Sequence, residues 1–86
     1  MKKSLIISNK TGLHTRAAFK IVKIAQKAKY GVWISKEGQR ADATSMLDLL
    51  TLYCPQGSTI TVEIDNNHDN EIMNKIVYSI KNGFGE

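Results

Sequence analysis

The sequence predicts an α+β open-faced sandwich, with elements in the order βαββαβα and the helices covering one face of a sheet. Three observations lead there. Residues 58–65 alternate apolar and polar as a half-buried strand does, whereas residues 16–29 and 70–82 carry apolar side chains at helical spacing. The two patterns interleave along the chain, so the strands are gathered into one sheet and the helices packed on it. At 86 residues and 42% hydrophobic content, the chain suffices for a single domain over 1–86 with one core, and the one proline and six glycines fall at turns.

Residues 3–8, with Leu5-Ile6-Ile7, read as the first strand, followed by the loop Asn9-Lys10-Thr11-Gly12. In the helix expected over 16–29, Ala18, Ile21, Val22 and Ala25 gather on one face and Arg16, Lys20, Lys23 and Lys27 on the opposite one, giving an apolar back and a cationic front. Residues 31–35 are β-branched and read as a strand. Lys36-Glu37-Gly38-Gln39 is a hairpin turn, and 40–43 is the return strand. Ser45 with Asp48 matches a capping box, so a short helix is expected from Met46 to about Tyr53, stopped by Cys54-Pro55-Gln56-Gly57. Over 58–65, Ile60, Val62 and Ile64 point one way and Thr59, Thr61 and Glu63 the other. Residues 66–69 form a turn and cap, and the last helix, 70–82, carries Ile72, Met73, Ile76, Val77 and Ile80. On the solvent side of the sheet the alternation leaves Ile6 and Trp33, a candidate contact patch.

Composition narrows the chemistry. A domain this small buries only about 60–65% of the surface its unfolded chain exposes, so a deep multi-residue active site is not expected and any chemistry belongs at the surface. The longest apolar run is too short for a membrane span, and Met1-Lys2-Lys3 lacks the apolar stretch of a signal peptide, so the expectation is a soluble, cytoplasmic protein without membrane contact. Cys54 is alone and cannot form an internal disulfide; His14 and His68 have no ligand-spaced neighbours, so neither metal nor cofactor is expected. His68 reads as a solvated turn residue. Twelve Lys and Arg against eight Asp and Glu give a net charge of +4, which favours anionic partners. No aromatic stacking platform or recognition motif accompanies that charge, so a nucleic-acid partner is not expected.

The informative stretch is Thr11-Gly12-Leu13-His14-Thr15-Arg16-Ala17-Ala18, which sets a histidine immediately before a cationic helix. The first turn of a helix has amides without internal partners and the positive end of the peptide dipoles, and the Arg16 guanidinium is forked to suit phosphate oxygens. A neutral imidazole there leaves a ring nitrogen free as a nucleophile, and a phosphoryl group accepted on it meets Arg16 and the amides of Arg16 and Ala17. Taken alone, a histidine near a helix cap is more often an ordinary polar residue, with Thr15 capping and Arg16 solvated.

Thr11-Gly12-Leu13-His14-Thr15-Arg16 resembles the active-site motif of the HPr family, the histidine phosphocarriers of the bacterial phosphoenolpyruvate-dependent phosphotransferase system. The likeness extends to Glu37-Gly38, Thr44-Ser45-Met46-Leu47, Gln56-Gly57, the last helix and the closing Gly83-Phe84-Gly85-Glu86. It implies a four-stranded antiparallel sheet in the order 1-4-2-3 with three helices on one face. It further implies a monomeric carrier, not an independent enzyme, whose His14 takes a phosphoryl group on Nδ1 from Enzyme I and passes it to an Enzyme IIA domain in sugar uptake. Arg16 would orient the phosphate; Lys20, Lys23 and Lys27 with Met46, Leu47 and Leu50 would form the docking surface for both partners. Ser45 aligns with a serine that an HPr kinase/phosphorylase phosphorylates in many members, although the residues alone make it a helix cap. Ala17 departs from the family pattern, which usually has proline there; alanine keeps the helix and restores an N–H. A regulatory paralogue, of the nitrogen-related branch or acting through Ser45, is the other reading of the same resemblance.

Overall fold

The computed structural model describes residues 1–86. It contains β1 (Lys2–Ile6), α1 (Thr15–Ala25), β2 (Val32–Lys36), β3 (Gln39–Asp42), α2 (Met46–Thr51), β4 (Thr59–Ile64) and α3 (Asn70–Lys81), with 3₁₀ turns at Asn67–Asp69 and Gly83–Gly85. The four strands form one antiparallel sheet in the order β1-β4-β2-β3. Alternation decides which face is covered: Ile60, Val62 and Ile64 of β4 and Val32 and Ile34 of β2 are buried, and they meet Ala17, Ala18, Ile21, Val22 and Ala25 of α1 and Met73, Ile76, Val77 and Ile80 of α3 in one core. Each such branched side chain contributes roughly 1.5–3 kcal/mol on leaving water.

The element boundaries depart from the sequence reading where contacts distant in sequence act. The first strand is Lys2–Ile6 rather than 3–8, although Ile7 still bonds to Gly57 and Ser58 of the incoming chain. The hairpin turn is only two residues, Glu37 and Gly38 at φ 50° and 82°, so β2 and β3 pair as far as Lys36 and Gln39. Both central residues have positive φ, the backbone that matches strand twist in tight hairpins. Helix α2 ends at Thr51, short of Tyr53, because Tyr53 takes a left-handed φ of 50° just past the cap. Ser45 does cap α2, accepting from the Asp48 amide at 3.2 Å. The Asp48 carboxylate closes no reciprocal box; it accepts from the Asp42 amide instead.

Helix α1 stops at Ala25 instead of 29, which leaves Lys27 in the turn that follows. The cause is Asp69, whose carboxylate accepts the amides of Lys29, Tyr30 and Gly31 at 2.8, 2.8 and 3.2 Å. Those amides would otherwise continue the helical ladder. Burial pushes the Asp69 carboxyl up, but the three amides, with His68 nearby, outweigh it and hold the group below its ordinary 3.8.

Ile6 and Trp33 do not make a patch. Ile6 faces Thr59 and Trp33 faces Glu63, positions about 13 Å apart along β4 at the rise of a strand. The Trp33 ring is also covered by Arg40, whose guanidinium carbon lies 3.9 Å from the ring centroid, and its Nε1 donates to Asp65.

Candidate functional site

Two backbone features bring His14 to the head of α1. Gly12 has φ +66°, and a Cβ there would lie 2.3 Å from the Cys54 carbonyl oxygen, so only glycine fits both the turn and the close approach. The Leu13 amide then donates to that same carbonyl at 2.8 Å, and buried Leu13 anchors the loop. His14 is itself the N-cap of α1: its Nδ1 accepts the Arg16 amide at 3.2 Å. The ring is a quarter exposed, and its Nδ1 lone pair points at the amides opening the helix. Ala17 lies in the same first turn, fully buried, with α1 starting normally at Thr15.

The other ring nitrogen meets a residue to which the sequence assigned no role. His14 Nε2 and Glu86 Oε2 are 2.5 Å apart, and Arg16 Nε and an Nη donate to the same oxygen at 3.3 and 3.1 Å. Glu86 Oε1 accepts from Thr11 Oγ1 at 2.8 Å and Asn9 Nδ2 at 3.2 Å. The Thr11 hydroxyl first, then His14, Arg16 and Asn9, hold the Glu86 carboxyl at about 2 against an ordinary 4.5, overcoming partial desolvation that pushes it up. Asn9 is buried and also donates to the Gly12 carbonyl at 2.8 Å, tying the loop to the acid.

Glu86 arrives by a hook. Gly83, Phe84 and Gly85 all have positive φ, which reverses the chain after α3, while the Phe84 side chain is 2% exposed in the core. Lys20 Nζ donates to the Phe84 carbonyl and braces the hook. The available sequence signal was a pair of glycines bracketing one apolar anchor before an acid; nothing local connected it to position 14.

Around the ring, Thr11, Leu13, Leu50, Tyr53, Cys54 and Pro55 line a shallow depression of about 340 Å³. Burial pushes the Cys54 thiol up, with Lys36 pulling the other way. The expected cationic and apolar surface is only partly as read. Lys20 is engaged by the hook and Lys27 follows the helix, whereas Lys23 lies over the ring of Phe19. Leu47 and Leu50 are exposed and Met46 is half-buried; Phe19 and Tyr53, which the sequence reading did not include, are exposed as well, Tyr53 lining the depression with Leu50. No helix is long and apolar enough to cross a membrane.

The sequence matches the family described as "PTS HPr component phosphorylation site" over residues 1–82. It is 35% identical to the phosphocarrier protein HPr of Cupriavidus necator, over 100% of this chain and 97% of that one. It is 31% identical to the phosphocarrier protein NPr of Escherichia coli, again over 100% of this chain and 97% of that one. The crystal structure of HPr-C-His from Thermoanaerobacter tengcongensis superposes with a TM-score of 0.93 at 29% identity, covering 100% of this chain and 97% of that chain. A histidine capping the first helix of a 1-4-2-3 sheet, in a chain matched from end to end by such relatives, places the protein in the HPr family, the phosphocarriers of the phosphotransferase system.

Proposed function

We propose that His14 accepts a phosphoryl group on Nδ1 from phospho-Enzyme I and passes it to an Enzyme IIA domain in sugar uptake, as a cytoplasmic carrier acting as a single domain over 1–86. The observation that carries this reading is the direction of Nδ1. Its lone pair faces the Arg16 amide at 3.2 Å, so a phosphoryl group arriving there exchanges one contact for another: the amide that the ring accepts becomes a donor to a phosphoryl oxygen. Arg16, with its side chain 69% exposed, is free to swing from Glu86 to the new dianion. The Ala17 amide adds a donor that proline would lack.

Lys23 and Lys27 with Met46, Leu47 and Leu50 form the docking surface, and Lys20 contributes less because its ammonium is held by the hook. Charge around an apolar centre speeds encounter without holding the partner long. Ser45 is the regulatory site in this reading: its hydroxyl caps α2, a phosphate there sits at a helix N-terminus, and its added negative charge weakens docking of acidic partners on the same surface.

The test is incubation with phosphoenolpyruvate and Enzyme I, then mapping of the acid-labile phosphate. Labelling at His14, abolished in His14→Ala, is the expected result; label elsewhere or none refutes the carrier role. The likeness to NPr supports a second reading, a regulatory carrier of the nitrogen-related branch. It is still labelled at His14, but deleting its gene leaves sugar uptake unchanged.

A further inference from the structure

We infer that Tyr53 is a specificity-determining residue for phosphoryl transfer, its ring being a contact that a phosphorylated protein donor meets beside His14 and a small donor does not. The inference deepens the carrier reading of the same site and rests on it. Its own evidence is the backbone and the exposure of position 53.

Three residues that bear a Cβ take a left-handed φ: Glu37, Tyr53 and Phe84, at 50°, 50° and 58°. That backbone crowds a Cβ against the following carbonyl, and glycine holds it freely. For Glu37 and Phe84 the chain itself supplies a compensation. Glu37 opens a two-residue hairpin turn that demands positive φ, and Phe84 is 2% exposed in the core. Tyr53 has neither. It follows the cap of α2, where helices most often place glycine, and it is 74% exposed. Strain that burial in the free chain does not offset points to a use outside the chain.

The ring is also kept in place. Lys36, at the end of β2, donates its ammonium to the Tyr53 carbonyl and lies 5.4 Å from the ring centroid. The next carbonyl, that of Cys54, accepts the Leu13 amide at 2.8 Å, so the backbone carrying the ring is tied to the residue before His14. Tyr53 and Leu50 stand with His14 around the depression. A protein that brings a phosphoryl group to Nδ1 closes over this depression and covers the ring.

Tyrosine suits that use, because it offers a wide apolar face with few torsions to immobilise and a hydroxyl for the wet rim. The surface it selects has an apolar recess beside the phosphoryl group and acidic residues opposite Lys36, in keeping with the net charge of +4. Charged Enzyme I is the occupant.

The experiment compares two phosphoryl donors on the full chain: Enzyme I with phosphoenolpyruvate, and phosphoramidate, which is too small to reach from His14 to the ring. Tyr53→Gly keeps the left-handed backbone without steric cost, so the chain folds. Its KM as a substrate of Enzyme I is expected to rise about fivefold with little change in kcat, the loss of one aromatic contact at an interface. The ratio of the rate with Enzyme I, below KM, to the rate with phosphoramidate is expected to fall by the same factor. Tyr53→Phe, which restores the ring, is expected to recover most of the loss. An unchanged ratio in Tyr53→Gly, an equal loss with both donors included, overturns the inference, and so does a Tyr53→Phe variant that behaves like Tyr53→Gly. In either case labelling of the wild type by Enzyme I leaves the carrier reading standing. A wild type that Enzyme I does not label overturns that reading, and this inference with it.

Discussion

Helix α1 has a carboxylate beyond each end, and the two are bound in opposite ways. Asp69, past the C-terminal end, is 2% exposed and accepts only backbone amides, those of Lys29, Tyr30 and Gly31. Glu86, at the N-terminal end, accepts from side chains only: Asn9, Thr11, His14 and Arg16. Both groups sit below their ordinary carboxylate range, so the shift alone does not separate them. The donors do. Backbone amides cannot leave without unfolding the segment that bears them, whereas side-chain donors can turn to another anion. One carboxylate therefore shapes the fold and the other belongs to an exchangeable site.

The largest expected effect tests that division by stability. Asp69→Ala leaves three backbone amides without their acceptor and should lower Tm by more than about 10 °C, while Glu86→Ala, whose side-chain donors can turn to water, should lower it distinctly less. Thermal melts in one buffer at neutral pH measure both. Equal shifts would break the comparison and make the hook a structural element like the Asp69 clamp.

Acid sharpens it next. The Glu86 carboxyl titrates at about 2 in the folded chain and at an ordinary 4.5 once its donors are gone, so the unfolded state binds the proton first as pH falls. The stabilisation from Glu86 is complete above about pH 4.5 and is lost as pH drops through the folded value near 2. Asp69 has the same sign, its contribution disappearing at some pH below 3.8. Carboxyl NMR should place the Glu86 midpoint near 2, with the hook's amide resonances moving in the same step. A midpoint near 4.5 would mean that the donors do not converge on the acid in solution.

The two carboxylates also mark the boundary of what the sequence disclosed. Patterns with a period were legible: Ile60, Val62 and Ile64 are buried as their alternation required, and Met73, Ile76, Val77 and Ile80 as their helical spacing required. The position of His14 before a helix was legible too, because the helix start is a local event. The end of α1 was not. Ala28 continues the apolar spacing and is half-buried, so nothing within the segment announces a stop; the terminator is a side chain some 40 residues later. Glu86 was hidden for the same reason, 72 residues from the ring it touches. Side-chain pairing of that separation depends on the assembled sheet, where β1 and α3 bring the Asn9 loop and the hook together.

The smallest expected effect concerns the lysines that border the exchangeable site. Read as a stripe, Lys20, Lys23 and Lys27 look equivalent, yet the Lys20 ammonium is engaged by the Phe84 carbonyl and that of Lys23 lies 5.6 Å from the Phe19 ring centroid, over an exposed face. A freely presented charge steers encounter, and a charge tied to the hook braces the hook. Lys23→Ala should therefore slow association with Enzyme I by about twofold to threefold at low salt, an effect that fades as salt screens it. Lys20→Ala should change the association rate less and instead loosen Glu86, seen as faster amide exchange at Gly85 and Glu86. Stopped-flow association at two ionic strengths, together with amide exchange, separates the roles; if the two variants behave alike in both measurements, the lysine stripe acts as one uniform surface and the hook stands without its brace.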